Sequence, residues 1–214
     1  MTKHYILQAI DSDGKSVYID DVPNGKKCGC FCKECGCALV AKQGNVKAHH
    51  FAHANGNDSI KCSQTALHLL AKEIVAEEKR IPVVANGAIT FVSVEFVEQE
   101  KNLGDIRPDL YAEFQGKAIA VEIYVSHAVD EEKINKIKSC GITTFEIDLS
   151  KLFFETREEV KQAVYDTANI RVLYDEYLTK NLLANKKHFI DTNGIIKHIE
   201  NGIVFQCPMN MTLQ

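Results

Sequence analysis

No stretch of this 214-residue sequence approaches the run of roughly 18 apolar residues that a membrane span needs. The opening Met1-Thr2-Lys3-His4-Tyr5-Ile6 lacks the apolar stretch and small-residue cleavage site of a secretory signal, so a cytoplasmic protein is the expectation. Internal repeats and low-complexity tracts are missing, which removes repeat arrays from consideration. An excess of positive charge is missing too: the formal net charge is −4, so the chain as a whole is no obvious polyanion binder. Large aliphatic residues are scarce between 26 and 62, and a segment of that composition cannot pack a core of its own. What remains is ordinary globular material, 45% hydrophobic and 25% charged. The length suits one medium domain with a small appendage, or two small domains.

Against that background the cysteines stand out. There are eight, and without a signal peptide they argue against disulfides, because cytosolic thiols are kept reduced. Cys28, Cys30, Cys32, Cys35 and Cys37 crowd one short stretch, which suits a metal better than a disulfide framework. Cys32-x2-Cys35 is a zinc-knuckle half, and Gly36 permits the tight turn after it. His50-Phe51-Ala52-His53 and Cys62 supply the other half. Three thiolates and one imidazole, from either His50 or His53, would close a four-coordinate structural zinc site with no open position for catalysis. The competing reading is buried free cysteines beside solvated histidines. Cys28, Cys30 and Cys37 read as small loop residues or alternative ligands, and Cys140 and Cys207 as small apolar fillers. The surroundings are basic, with seven lysines (26, 27, 33, 42, 47, 61 and 72) against Glu34 and Asp58.

The periodicities predict a mixed α/β chain. Tyr5-Ile6-Leu7 and Val17-Tyr18-Ile19 flank a Ser12-Asp13-Gly14 turn, as in a hairpin. Leu67, Leu70, Ala71, Ile74 and Val75 predict a helix from about Gln64 to Lys79, capped by Ser63 and ended by Pro82. Strands are expected over Ile89–Glu98, Arg107–Phe114 and Ala118–Val125. A charged helix follows over 130–139, with Ile134 and Ile137 inward, then a strand over Ile142–Leu149. A long helix over 156–184 would use Val160, Ala163, Val164, Ile170, Leu173, Tyr177 and Leu178, and a tail hairpin would turn at Thr192-Asn193-Gly194. The order from 64 to 149 is α-β-β-β-α-β, a sheet with helices on its faces.

Two acids in this region carry possible chemistry. Glu122 lies among Ile119, Ala120, Val121, Ile123 and Val125, where a charge is costly to bury without a counter-ion. Asp109 lies on the preceding strand, and two hard oxygen ligands side by side are how Mg²⁺ is held for phosphoryl chemistry. The bland alternative is a strand-edge Asp and a Glu paired with a lysine. His68 and Lys72, four apart, share a helical face with Gln64, which is also the pattern of a solvated helix stripe. His127 is a candidate phosphate- or water-orienting residue or a structural one. Glu146 and Asp148 share a strand face and need do no more than meet solvent.

Cys32-Lys-Glu-Cys35, Ala48-His49-His50-Phe51-Ala52-His53, Cys62 and Thr65-Ala-Leu-His68-Leu-Leu-Ala-Lys72, taken in order, resemble the CoiA-like competence proteins. Pro108-Asp109 and Glu122-Ile-Tyr124-Val-Ser-His127 look like that family's nuclease core, a variant of the PD-(D/E)xK superfamily. The resemblance covers about residues 26 to 149. It implies a zinc-ribbon-like module ahead of a restriction-endonuclease-like α/β core. Together with the elements predicted above, this divides the chain into a hairpin and zinc module over 1–62, the core with a long C-terminal helix over 63–185, and a hairpin or tail over 186–214. It implies Asp109 and Glu122 as ligands of Mg²⁺ or Mn²⁺, His68 and Lys72 facing the site, and His53 as the fourth zinc ligand beside Cys32, Cys35 and Cys62. Two positions depart from the pattern: Tyr124 replaces the usual lysine, and Gln64 replaces an acid. Tyr124 cannot supply a permanent cation, so Lys72 is the expected helper. The expectation is a metal-dependent nuclease acting on DNA, held to phosphates by Lys26, Lys27, Lys33, Lys42 and Lys47. The alternatives are a nucleic-acid-binding accessory protein without hydrolysis, and a zinc-stabilised protein-interaction module.

Overall fold

A computed structural model describes residues 4–176 apart from 86 and 127. The N-terminal hairpin forms a few residues later in the chain than its first apolar run. Strand β1 (Gln8–Ile10) pairs antiparallel with β2 (Ser16–Tyr18). The Asp11 carboxylate accepts from the amides of Asp13 and Lys15, both at 2.9 Å, and so fixes the turn. Ile6 and Leu7 are buried ahead of the hairpin, and the Ile6 carbonyl accepts from the Phe51 amide at 2.8 Å. A second hairpin joins β3 (Leu39–Lys42) to β4 (His50–His53), with Leu39 opposite His53 and Lys42 opposite His50. The period of two along β4 turns Phe51 and His53 inward and leaves His50 and Ala52 half-exposed.

Helix α1 (Ile60–Glu78) starts one turn earlier than its apolar stripe predicts. Ser59, not Ser63, is the N-cap: its hydroxyl oxygen accepts from the Cys62 amide at 3.1 Å. Ser63 is buried and donates to the Ile60 carbonyl instead. The helix stops at Lys79, which takes φ 50 and donates its amide to the Val75 carbonyl. Pro82 is not the terminator. It lies inside β5 (Arg80–Ala85), which pairs only with β6 (Ala88–Ser93), so its missing N–H disturbs no central ladder. The expected strand Ile89–Glu98 is thus divided between β6 and the short β7 (Glu98–Gln99).

The principal sheet follows. Strand β8 (Leu110–Phe114) turns into β9 (Lys117–Tyr124) through Gln115 and Gly116, whose φ values of 51 and 73 are the paired positive angles of a tight hairpin. Helix α2 (Glu131–Cys140) is capped by Asp130 and closed by Gly141 in the left-handed region. It buries Ile137, leaves Ile134 half-exposed and leaves Cys140 exposed, so that cysteine is no apolar filler. The chain returns as β10 (Thr143–Asp148), parallel to β9. Helix α3 (Arg157–Val164) is short, and within the described residues the helix expected over 156–184 ends at Val164. Asp166 turns the chain by accepting from the Ala168 amide, and β11 (Ile170–Tyr174) adds antiparallel to β10. Ile170 and Leu173 are therefore strand residues. Tyr177, Leu178, the hairpin expected near 192–194, Cys207 and the 186–214 segment lie outside the described residues. The sheet order is β11-β10-β9-β8-β7, giving a mixed α/β architecture with three α-helices among the described residues.

One core joins these parts. Ile6, Ile19, Leu39 and Phe51 from the N-terminal region pack in the same buried cluster as Leu70 and Ile74 of α1, Leu110, Val121 and Phe145 of the sheet, and Val160 and Val164 of α3. The chain up to Asp175 is one compact unit. The boundary expected at 62/63 falls inside the first turn of α1, so the cysteine-rich region borrows the core that it cannot build.

Candidate functional site

Cys32 and Cys35, from the turn before β3, meet His53 at the end of β4 and Cys62 in the first turn of α1. Their four donor atoms all lie within 4.8 Å of one another. Ligands about 2.3 Å from a tetrahedral centre stand roughly 3.8 Å apart, so this set fits an ion such as zinc. Local geometry shapes the knuckle: the Gly36 amide donates to the Cys32 carbonyl at 2.8 Å, the Cys32 amide to the Cys37 carbonyl at 2.9 Å, and Gly36 takes φ 70. His53 Nε2 is 3.3 Å from the Cys35 sulfur, while Nδ1 sits 2.8 Å from Asp58. Asp58 also accepts from the His53 amide, so it fixes both the ring and the tautomer that frees Nε2 for a metal. Burial pushes the Cys32 thiol up to about 12, whereas the Cys37 amide leads in drawing Cys35 down to about 6. A bound cation would favour the thiolate at both.

The two histidines of the motif are thereby separated. His50 stacks on Tyr5 with ring centroids 4.5 Å apart, and its Nδ1 lies 2.8 Å from the Ala48 carbonyl. Cys28 and Cys30 donate to the carbonyls of Leu39 and Cys28 and are not in the four-residue cluster, nor is Cys37. Among the described residues no other group of three or more His, Cys, Asp and Glu donors converges this closely.

A cavity of about 400 Å³ opens between α1, the sheet and α2. Lys61, Gln64, Thr65 and His68 line it from α1, Asp109 and Glu122 from the sheet, Lys133 from α2 and Glu146 from β10. Asp109 stands one residue before β8. One of its oxygens accepts from the Ile123 amide at 2.9 Å and lies 3.0 Å from His68 Nε2; the other is 4.0 Å from Lys72 Nζ. Burial works to raise its pKa, but the hydrogen bond and charge of His68, the Ile123 amide and Lys72 outweigh it and hold the carboxyl below its ordinary value. Glu122, only 4% exposed, accepts from Lys133 at 2.8 Å. Burial pushes its carboxyl up to about 7, Lys133 opposes that, and the negative charge of Asp109 adds to it. Two carboxylates with room for water are a donor set that suits Mg²⁺ or Mn²⁺, which keep several waters when protein-bound.

Three expected roles change. Lys72 does not line the cavity: it is 1% exposed and donates to Glu100 at 2.7 Å, behind Asp109. Tyr124 ends β9 half-buried, its carbonyl accepting from the Leu149 amide, and it does not line the cavity either. Glu146 does not meet solvent. It is 1% exposed, accepts from Arg171 at 2.7 Å and from the Val129 amide at 3.1 Å, and stands opposite Glu122 in the parallel register. Asp148 is half-buried and holds the Ser150 hydroxyl at 2.6 Å. His127 lies outside the described residues. Lys133 is the cation that sequence spacing missed; the available signal was the β9-α2-β10 crossover, which returns the first turns of α2 over the carboxyl ends of the parallel strands. Glu34 was missed as well: it pairs with Lys61 and accepts from Thr65 at 2.9 Å, tying the cysteine knuckle to the cavity wall. The five lysines 26, 27, 33, 42 and 47 are all exposed. No helix among the described residues is long and apolar enough to cross a membrane.

No family model matches the chain, and no curated protein or solved structure matches it either.

Proposed function

We propose that the chain is a metal-dependent, nuclease-like protein that hydrolyses phosphodiester bonds in DNA, with Cys32, Cys35, His53 and Cys62 holding a structural zinc ion. One observation carries the reading: Asp109, just before β8, and Glu122, on β9, share a single cavity with His68 and Lys133. The element order supports a restriction-endonuclease-like core of PD-(D/E)xK type. It runs from α1 through the antiparallel β7, β8 and β9 to α2 and the parallel β10, with the β5–β6 hairpin inserted after α1. The resemblance to CoiA-like competence proteins points the same way, and a cytoplasmic setting suits it.

Asp109 and Glu122 would hold Mg²⁺ or Mn²⁺, an ion that polarises a phosphate and lowers the pKa of its bound water. His68 keeps Asp109 ionised and oriented into the cavity. Lys133 supplies the cation that Tyr124 lacks, on a flexible stem that reaches Glu122 and would equally reach a phosphate oxygen bound beside it. Lys72 acts on Asp109 from behind as a positioning residue. The exposed lysines of the cysteine-rich region hold the polyanion by counter-ion release.

The test is cleavage of linear, circular and single-stranded DNA by zinc-loaded protein with added Mn²⁺, beside Asp109→Ala and Glu122→Ala. Cleavage by the parent protein, reduced at least about a hundredfold in either variant, is expected. A zinc-loaded parent that cuts none of the three substrates refutes the reading.

A second reading, a nucleic-acid-binding protein without hydrolysis, draws on a different observation. Each acid already has its own partner, the Lys133 ammonium for Glu122 and the His68 ring for Asp109, so both are engaged without a metal. On that reading DNA affinity is salt-dependent and unchanged in Asp109→Ala.

A further inference from the structure

His50 is left over once His53 completes the cysteine cluster, and its surroundings suggest a use for it. Its ring stacks on Tyr5 at 4.5 Å with 24° between planes, and Tyr5 in turn meets Phe153 at 5.4 Å and 58°. The three rings come from distant points in the chain: the segment before β1, the outward face of β4, and the loop after β10. Phe153 is 48% exposed, and among the described large apolar residues Val46 alone is more exposed. Its neighbour Phe154 is buried in the core, which anchors the loop and holds Phe153 in place. The Ala48 carbonyl, 2.8 Å from Nδ1, restrains the His50 ring.

Lysines accompany two of these rings, Lys42 across the hairpin from His50 and Lys151 two residues before Phe153 in the chain. Lys42 stands directly opposite His50 in the β3–β4 register, so the two side chains share one face of the hairpin. Lys42, Lys47 and Lys151 are all exposed. Asp20 is engaged by His49 at 2.6 Å. Pre-stacked rings with an open member and lysines alongside are what an unpaired base and its phosphate require. A duplex keeps its bases stacked on one another and offers such rings little to bind.

We propose that Tyr5, His50 and Phe153 form a stacking platform for the unpaired bases of single-stranded nucleic acid, with Lys42 and Lys151 taking the flanking phosphates. The proposal rests on the nucleic-acid reading above and adds that the strand is read single.

The experiment is fluorescence anisotropy with a labelled oligothymidine of roughly 20 nucleotides and a duplex of equal length, at fixed salt without added divalent ions. Phe153→Ala and His50→Ala are compared with the parent protein at equal zinc content and unchanged thermal midpoint. Both should weaken oligothymidine binding about tenfold while duplex binding moves less than about twofold, and the salt slope should stay unchanged because no lysine is altered. Phe153→Trp, which restores a stacking surface on an exposed position, should recover the affinity. Equal losses on duplex and single strand, parent-like binding by Phe153→Ala, a parent without single-strand affinity, or no recovery with tryptophan would each overturn the platform. A parent that binds oligothymidine but cuts nothing overturns the nuclease reading alone.

Discussion

The Lys133 ammonium lies 2.8 Å from the Glu122 carboxylate, joining the first turn of α2 to the carboxyl-terminal half of a buried strand. Glu122 has a pKa raised to about 7, burial leading and Lys133 opposing. Between its ordinary value near 4.5 and about 7, the folded chain binds a proton that the unfolded chain does not. The stability tied to this group is therefore full below the lower value and is lost as pH rises through the upper one. Lys133→Met should steepen the loss, because it removes the cation holding the pKa down. Lys133 is itself a third exposed, so the expected cost at pH 8 is moderate, about 1–2 kcal/mol, shrinking to within about 0.5 kcal/mol at pH 5. Urea unfolding at the two pH values checks this, and an equal cost at both would refute it.

The same protonation predicts how a divalent ion would bind. A metal held by Asp109 and Glu122 competes with the Glu122 proton, since only the carboxylate is a ligand. Titrating Mn²⁺ by calorimetry in buffers of different ionisation enthalpy should reveal proton release near pH 6 and little above pH 8. Glu122→Gln should abolish both the binding and the release. Asp109 is ionised throughout that range, because burial is outweighed there by His68, the Ile123 amide and Lys72, so it contributes no proton. Release that persists unchanged at pH 8 would count against Glu122 as the titrating ligand.

The extent to which these features were legible in the sequence differs by interaction range. Cys32, Cys35, Cys62 and one histidine of the His50/His53 pair were readable as a set because thiolate and imidazole spacing is itself the signal for a metal, whereas the choice of His53 came from the family resemblance alone. Asp109 and Glu122 were readable because a charge in an apolar strand demands a reason, and the bland reading of Glu122 as a partner of lysine is also what the geometry displays. Lys133 was not readable as that partner, because nothing local links it to residue 122; only the parallel crossover does. Ile170-Arg171-Val172-Leu173-Tyr174 satisfies a helical stripe and a strand alternation alike. The arbiter is tertiary: Arg171 stands opposite Glu146 across β10 and β11 and neutralises it there. Ser59 was overlooked as the α1 cap because the first turn carries Ile60, Lys61 and Cys62 instead of the apolar stripe.

The Cys3His cluster makes a sharp prediction about Asp58, which lies outside the donor set. Its carboxylate accepts from both the amide and Nδ1 of His53, so Asp58→Ala frees the ring that must present Nε2 to the metal. Zinc affinity should fall about 10–100-fold by competition with a chromophoric chelator. Cys62→Ser should lose the ion outright, and His50→Ala should keep one zinc per chain, since His50 faces Tyr5. Zinc loss in His50→Ala with retention in His53→Ala would overturn the assignment.

Lys72 and Glu100 form a pair whose two halves are not equivalent. Lys72 is 1% exposed, while the Glu100 side chain is 46% exposed and is also held by Arg107 at 2.7 Å. Removing the lysine leaves an acid that water and Arg107 can satisfy, and methionine refills the buried volume. Removing the acid strands an ammonium in the core, with only Asp109 at 4.0 Å in partial compensation. Glu100→Ala should therefore cost about 2–3 kcal/mol in urea unfolding, and Lys72→Met should stay within about 1 kcal/mol of the parent. A cost for Lys72→Met equal to or above that of Glu100→Ala would mean that the lysine stabilises the fold through Asp109 instead. The positioning role of Lys72 is separable from its effect on stability. Because its charge helps hold the Asp109 carboxyl down, Lys72→Met should move Asp109 upward in an NMR titration even where the fold is unharmed.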